Sequence, residues 1–375
     1  MYKRLVEHFS LLQDPRQTGK VVYRLLDILV TAICAVIAGA ETWEDMALYA
    51  QEKHDWLATF LDLPQSTPSH DTFRRVFSIV DPDAVERCFQ DWVAGFSPEE
   101  REVIAIDGKA VRRSFTAGAK HHPLHLLSAF ATRRGLSLGQ RIVDGKSNEI
   151  TAIPALLDTL QVQGGIVTID AMGCQRTIAQ KILDRGADYL LALKGNQKGM
   201  QRAVESYAQS HCFGGAGSRR ADMDTGDQGH GRWVRRRIFA LPEACALPEL
   251  QDWPGLRQVL AVETIRQLSH NPGTRCEIRY YLSSCADPVE VQARAIREHW
   301  GIENRLHWVL DMTFREDESR VRERNGARCL AILRKIALNL IRQDAIHKGS
   351  LRGKRKKAGW SNAYMAQVVF GEFHA

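Results

Sequence analysis

Few features of a secreted or membrane-bound protein are found in this sequence. Its eight cysteines are dispersed and form no CxxC pair, which argues against a disulfide framework or a structural zinc site. Residues 25–40 are apolar, but the run is short and contains Asp27, so it predicts a buried core helix and not a membrane span. Residues 1–16 are polar and mixed in charge, unlike a signal peptide. We expect a cytoplasmic protein with no membrane partner.

The sequence also lacks internal repeats and a phosphate-binding loop, because no Gly-Lys-Ser/Thr follows the glycines at residues 214–217. What it has is an excess of positive charge, formally +7, which favours polyanion partners such as nucleic acid. The basic residues cluster at 219–237 and 348–357. For each cluster, a solvated surface is about as good an explanation as a contact with DNA.

Residues 1–97 predict a helical N-terminal domain. After the core helix, an amphipathic pattern covers residues 43–61, a further helix begins at Ser69 or Asp71, and another begins near residue 81. Arg74 and Arg75 lie on the polar side of the helix that follows Ser69. Such short helices are compatible with a DNA-reading helix-turn-helix, although an ordinary helical bundle is slightly favoured.

The pattern changes after Pro98 to strands alternating with helices. Three short strands come first, at residues 103–106, 124–132 and 138–144, followed by helix, strand, helix and strand up to residue 193. This order predicts an α/β domain with a mixed sheet. We place it at residues 98–346, with a β-rich insertion at about 195–287, a helical stretch from 288, and a basic C-terminal tail at 347–375.

Two aspartates stand where apolar strands are expected to end. Asp107 follows Ile104-Ala105-Ile106, and Asp170 follows Val167-Thr168-Ile169. Ligands of α/β sheets bind beyond the carboxyl ends of strands, so both side chains suit a metal site. Each could instead be an ordinary turn or capping residue.

A site for hard divalent cations needs a further carboxylate, and the predicted helix near residue 300 offers Glu303. His299, Glu303 and His307 are spaced by four residues and would share one face of a helix. Trp300 and Leu306 would cover the opposite, buried side. Asp311 competes with Glu303 as the third ligand, and a helical glutamate is often only a solvated surface residue.

Taken together, several stretches resemble DDE transposases of bacterial insertion sequences, in the group that includes the H-repeat-associated proteins. The matching stretches are residues 14–20, 68–73, 105–109, 146–150, 168–171, 193–197 and 299–311. They are spread over most of the chain, and the combination is specific although each stretch alone is weak.

The resemblance implies an RNase H-like catalytic domain with Asp107, Asp170 and Glu303 as catalytic and metal-binding residues. It implies two Mg²⁺ (or Mn²⁺) ions, terminal inverted repeats and target DNA as partners, and a homodimer on DNA. Many relatives surround the glutamate with Tyr, Arg and Lys, whereas the corresponding residues here are Ile296, His299 and Leu310. Asp311 therefore stays open as the third ligand.

The function predicted from these features is metal-dependent cleavage and strand transfer at the ends of an insertion sequence. A nuclease without strand joining and an inactive DNA-binding remnant are the alternatives. The candidate DNA contacts are Lys109, Lys194, Asn196, His299, Arg305, Arg74 and Arg75.

Overall fold

A computed structural model describes residues 2–64, 66–96, 100–115, 123–143, 149–214, 219–229, 232–268 and 271–371. Residues 146–148 of one matching stretch lie outside these ranges. The chain forms two compact units, each assembled from separated segments. The first comprises Met1–Pro98, Gly108–Asn148 and Ile302–Ala375, and the second comprises Glu99–Asp107 and Glu149–Gly301.

The first unit is mainly helical. Its helices are α1 (Tyr2–Phe9), α2 (Leu25–Ala38), α3 (Trp43–Glu52), α4 (His54–Leu57), α5 (His70–Ile79), α6 (Pro82–Ala94), α11 (Trp308–Met312), α12 (Arg324–Gln343), α13 (Leu351–Trp360) and α14 (Asn362–Phe370). Side chains of the residues before several helices satisfy their first backbone N–H groups, as expected for Ser69, which accepts from Thr72 N at the start of α5. The pattern over residues 43–61 divides into α3 and α4 because the chain turns at Lys53.

The apolar run near the N-terminus is a buried core helix, as predicted. Ile28, Leu29 and Ile33 of α2 are at most 1% exposed. Helix α12, which is also largely buried, packs against α2 in the same unit. Within the described ranges, no single helix has the length and apolarity to cross a membrane, and only the sharply bent pair α2–α3 satisfies that test by composition.

The segment expected to be a basic tail is folded over most of its length, into α13 and α14. Lys354 and Arg355 are buried there. The Lys354 ammonium donates to the backbone carbonyl of Asp344, and the Arg355 guanidinium lies 4.1 Å from the ring centroid of Phe314. These two charges therefore stabilise the first unit internally and are not solvated.

The strands form a sheet in which β1 (Val103–Val111) is shared between the units. Strands β2 (Leu124–Ala131) and β3 (Leu136–Val143) belong to the first unit; β4 (Ile166–Ile169), β5 (Asp188–Leu193), β6 (Met223–Gly229), β7 (Arg232–Leu241), β8 (Gln258–Leu268) and β9 (Asn271–Ser283) belong to the second. The hydrogen-bonded order is β3-β2-β1-β4-β5-β9-β8-β7-β6. Strands β2 and β3 are antiparallel, whereas β4 and β5 run parallel to β1. Parallel and antiparallel pairs in these strands confirm the predicted α/β fold with a mixed sheet.

Helices α7 (Glu149–Leu157), α8 (Arg176–Asp184), α9 (Lys198–Ala208) and α10 (Val289–His299) complete the second unit. The β-rich insertion extends the sheet through β6–β9, and β9 pairs antiparallel with β5. The insertion also contains helix α9, with Met200, Val204 and Ala208 buried at helical spacing. Its strand β6 is held by pairs such as that of Asp224 with Arg235 of β7.

Candidate active site

Asp107 and Asp170 follow residues that are paired on neighbouring parallel strands. Ile106 of β1 is in register with Ile169 of β4, and an aspartate comes next on each strand. Adjacent strands lie about 4.8 Å apart, so the two carboxylates start from backbone positions at one edge of the β1–β4 ladder. β1 does not end at Asp107, as the sequence suggested, but continues to Val111; only its pairing with β4 stops there.

Both aspartates belong to the side of the sheet on which α10 packs. Val103 and Ile166 are in the same buried cluster as Ala293 and Ile296 of α10. Because side chains alternate along a strand, Asp107 has the same orientation as Val103, and Asp170 has the same orientation as Ile166. Both aspartates are half-buried. We call this surface of the sheet the α10 side.

A short 3₁₀ turn, Ala171–Gly173, holds Asp170 in place. The Asp170 carboxylate accepts from Met172 N at 3.0 Å and thereby caps the turn. Asn196, a predicted DNA contact, uses its side-chain Nδ2 to donate to Ala171 O at 2.6 Å. A Cβ atom on Gly173 would lie 2.3 Å from Ile169 Cγ2, so the turn packs against β4 too closely for any side chain at that position.

His299, at the last position of α10, is tied to the same strand. Its Nδ1 lies 3.0 Å from the Thr168 hydroxyl, two residues before Asp170. Thr168 is not among the predicted site residues. The signal was present, since strand alternation gives Thr168 and Asp170 the same orientation.

The helical stretch predicted from residue 288 is present but is not one regular α-helix. α10 ends at His299, and Ile302–His307 forms a π-helix. Such wide turns insert extra backbone and occur often at functional sites. Glu303, at the start of this π-helix, is exposed, and its Oε2 lies 3.6 Å from Nδ1 of the buried His307. Trp300 is 50% exposed and does not cover a buried side, whereas Leu306 is buried as expected.

Lys109 is surrounded by carboxylates of the first unit. Its ammonium donates to Asp311 and, at 2.9 Å, to Glu316 Oε2. Glu316 is 1% exposed, and Lys109 is largely buried. Burial acts to raise the pKa of Glu316, but the charges of Lys109 and Arg334 hold it below its usual value. Burial also lowers the pKa of Lys109, yet its two carboxylate partners raise it overall.

Asp311 is thus engaged by a lysine. Burial, helped by the charges of Asp317 and Glu316, raises the pKa of Asp311 overall, although the Lys109 ammonium acts to lower it. A partly buried carboxylate that already receives an ammonium is a poorer metal ligand than an exposed one, because coordination would have to displace that ammonium.

The remaining candidate DNA contacts differ in how far the protein already uses their charges. Lys194 and Arg75 are exposed. Arg74 is exposed and pairs with Asp71 at 2.8 Å. The Arg305 guanidinium donates to the carbonyl of Thr132 and lies 5.9 Å from the centroid of the Phe130 ring. Arg305 therefore contributes to packing in the first unit whatever its contact with DNA.

The donor chemistry at the β1–β4 edge suits a hard cation. Carboxylate oxygens are the ligands that Mg²⁺ and Mn²⁺ prefer, and Asp107 and Asp170 supply them from adjacent strands. The predicted ligands therefore fit the metal that the resemblance implies.

Comparisons with known proteins agree with the motifs. The family profile described as "Transposase DDE domain" matches residues 98–340, and the profile described as "DDE_Tnp_1-associated" matches residues 6–93. The chain is 40% identical over 377 residues to "H repeat-associated putative transposase YhhI" of Escherichia coli (strain K12), covering 98% of each chain. It is also 40% identical to "Putative transposase YncI" of Escherichia coli O157:H7, covering 97% of this chain and 94% of the relative.

Among solved structures, a piggyBac transposase synaptic complex with hairpin DNA aligns at TM-score 0.43 and 10% identity, covering 100% of this chain and 78% of that one. That likeness is too low to support a conclusion. The sequence profile and the near full-length relatives confirm the resemblance predicted from the motifs. The chain belongs to the DDE transposase family.

Proposed function

We propose that this chain cleaves DNA at the ends of an insertion sequence and joins the freed ends to target DNA, with Asp107, Asp170 and Glu303 as its catalytic carboxylates. The observation that carries the proposal is the register of β1 and β4, which sets Asp107 and Asp170 side by side with the same orientation. Membership of the DDE transposase family supports it.

Glu303 is the third carboxylate in this proposal because of its position in the chain. His299 is anchored to Thr168 on the strand that precedes Asp170, and Glu303 follows His299 by four residues. Glu303 is exposed, whereas Asp311 is already bound by Lys109. We therefore assign the third ligand to Glu303 and give Asp311 a structural role.

The three carboxylates would hold Mg²⁺ or Mn²⁺, with two ions as the proposed number. When bound, such ions stabilise the attacking and leaving oxygens of a phosphodiester displacement. The 3₁₀ turn after Asp170 keeps its carboxylate oriented, since Met172 N already fixes one oxygen. Lys194 and His299 are the proposed phosphate contacts of the second unit, and Arg75 is a proposed DNA contact of the first unit. A dimer would bring two DNA ends together.

The test is a cleavage and joining assay with purified protein, Mg²⁺, and a duplex that carries the inverted repeats flanking the coding sequence. We expect wild-type protein to release and join 3′ ends, and Asp107→Asn, Asp170→Asn and Glu303→Gln each to lower both steps to background. Asp252→Asn is the matched control, because Asp252 is an acid of the same unit that is 84% exposed.

Two outcomes would overturn the proposal in different ways. Cleavage that persists in Asp170→Asn would refute the catalytic assignment. Cleavage without any joining by the wild-type protein would identify a nuclease instead of a transposase. A Glu303→Gln variant that cleaves normally, together with an inactive and folded Asp311→Asn variant, would move the third ligand to Asp311.

A further inference from the structure

Helix α10 covers only part of the α10 side, and the uncovered part lies on the strands of the insertion. Ile238, Leu260 and Tyr281 are buried with α10 residues. Further along the same strands the pairing continues, with Arg236 of β7 opposite Thr264 and Arg266 of β8 opposite Arg275 of β9. Paired residues of antiparallel strands share a side of the sheet, so this stretch belongs to the α10 side as well.

The uncovered stretch is rich in arginine. Together, this stretch and the adjoining end of α10 carry the guanidinium groups of Arg236, Arg266, Arg275, Arg279 and Arg297. We call these five groups the arginine face. Two carboxylates form ion pairs with four of these arginines. Asp227 lies 2.8 Å from Arg236 and 3.6 Å from Arg297, and Glu277 lies 2.7 Å from Arg279 and 3.9 Å from Arg266. Positive charge is thus in excess.

The ion pairs hold the arginines in position and leave them accessible. Arg266 and Arg297 are 49% and 57% exposed, so their guanidinium groups can meet a further anion. The hydrogen bond from Arg279 holds the pKa of Glu277 below its usual value, and the charges of Arg266 and Lys194 act in the same direction. Arg279 also lies 5.8 Å from the ring centroid of Trp300, which is 50% exposed. Exposed arginine beside an exposed aromatic ring is typical of surfaces that bind nucleic acid.

The arginine face is on the same side of the sheet as Asp107 and Asp170. From β4 the hydrogen-bonded order continues through β5, β9, β8 and β7. At about 4.8 Å per strand, β9 lies roughly 10 Å from β4, and β7 roughly 19 Å from it. Lys194 follows β5 directly and is exposed, between β4 and β9 in this order. Positive groups therefore begin one strand away from Asp170 and continue across the insertion.

We infer that the arginine face binds the phosphate backbone of duplex DNA on one side of the bond that is cut. This inference rests on the proposed function, because it takes Asp170 to mark that bond. A duplex rises about 3.4 Å per base pair, so a separation of roughly 10–19 Å across the strands corresponds to at least about three to six base pairs from the cut, and the offset of Arg266 and Arg275 along their strands adds to it. Backbone contacts of this kind position DNA and do not read its sequence.

Equilibrium binding of a fluorescent duplex, measured without divalent metal at several salt concentrations, tests the inference. The test variant is Arg266→Gln with Arg275→Gln, two paired neighbours on the arginine face. We expect the slope of log K against log salt to become shallower by about 0.9 for each phosphate contact removed, and affinity to fall roughly tenfold per arginine near 0.1 M salt. Duplexes with and without the inverted repeat should be affected equally.

Adjacent residues of β7 provide a matched control. Arg235 and Arg236 point to opposite sides of the sheet, and each pairs with one aspartate of β6. We expect Arg236→Gln to weaken DNA binding and Arg235→Gln to leave it at the wild-type level. The double variant Arg266→Lys/Arg275→Lys should retain most of the DNA binding if the positive charge at these positions is what matters. Circular dichroism checks that every variant is folded.

The outcomes separate this inference from the proposed function. Unchanged salt dependence in folded Arg266→Gln/Arg275→Gln protein would overturn the inference even if Asp170→Asn abolishes cleavage. Equal losses in Arg235→Gln and Arg236→Gln would also overturn it, since binding would then not depend on the α10 side. If the wild-type protein does not cleave DNA but the arginine variants bind DNA more weakly, the inference about the arginine face is supported and the catalytic proposal is refuted.

Discussion

Replacing Lys109 by Met should destabilise the protein through the carboxylate that it leaves behind. Glu316 is 1% exposed and would lose an ammonium at 2.9 Å. Removing one partner of a buried ion pair costs about 3–5 kcal/mol, and Arg334 at 4.0 Å offsets part of that, so we expect about 3 kcal/mol. Glu316→Gln should cost less, about 1–2 kcal/mol, because Lys109 keeps Asp311 as a partner.

Urea unfolding at about pH 7, followed by circular dichroism, measures these differences in the free energy of unfolding. The double variant Lys109→Met/Glu316→Gln should be more stable than Lys109→Met alone, because the buried side chain at position 316 is then neutral and no longer needs the ammonium. The pKa of Glu316 is lowered in the folded protein, so the stability this pair supplies is present above the ordinary glutamate pKa of 4.5 and is lost as pH falls through the folded value. The loss of stability caused by Lys109→Met should likewise become smaller as pH falls. A loss below about 1 kcal/mol at neutral pH, or a double variant no more stable than Lys109→Met, would refute this account of the site.

Two further predictions concern single positions. Burial raises the pKa of Glu86 from 4.5 to about 7, so this group makes the protein less stable as pH rises from about 4.5 to 7. Glu86→Gln should abolish this fall in the urea midpoint, because the new amide oxygen can still accept the hydrogen bond from Gln140 N but cannot ionise. An unchanged pH dependence in Glu86→Gln would contradict the explanation. Gly173→Ala should lower stability by about 1–3 kcal/mol, because the new Cβ would meet Ile169, and should reduce DNA cleavage by displacing the turn that Asp170 caps. Gly199→Ala, where a Cβ would meet nothing within 4 Å, should do neither, and similar losses at both positions would contradict the prediction.

Local patterns predicted the elements of the sheet that carry Asp107 and Asp170. Each strand is a run of apolar residues too short for a helix, and the aspartate marks where apolar burial stops. The helices of the first unit were also predictable, since apolar spacing and capping residues such as Ser69 and Asp81 are local signals.

What the sequence did not predict depends on partners distant in the chain. The π-helix after α10 has a sequence that favours an ordinary helix, and Leu306 and His307 are buried within it. The bonds of Lys109 to Asp311 and Glu316 span about 200 residues, so no periodicity could reveal them. Strand β6 has no apolar side chain after Met223 and is held by cross-strand pairs such as Asp224 with Arg235, a signal that apolar alternation does not contain.

The composition of the first unit from three separated segments has a consequence for synthesis of the protein. Helix α2 buries its apolar residues partly against α12, which is made some 290 residues later. The nascent chain therefore carries unsatisfied apolar surface until α12 has been made, a state in which chaperone binding and aggregation compete with folding. A frameshift that removes residues after about 320 should accordingly yield an insoluble product and not a folded amino-terminal fragment.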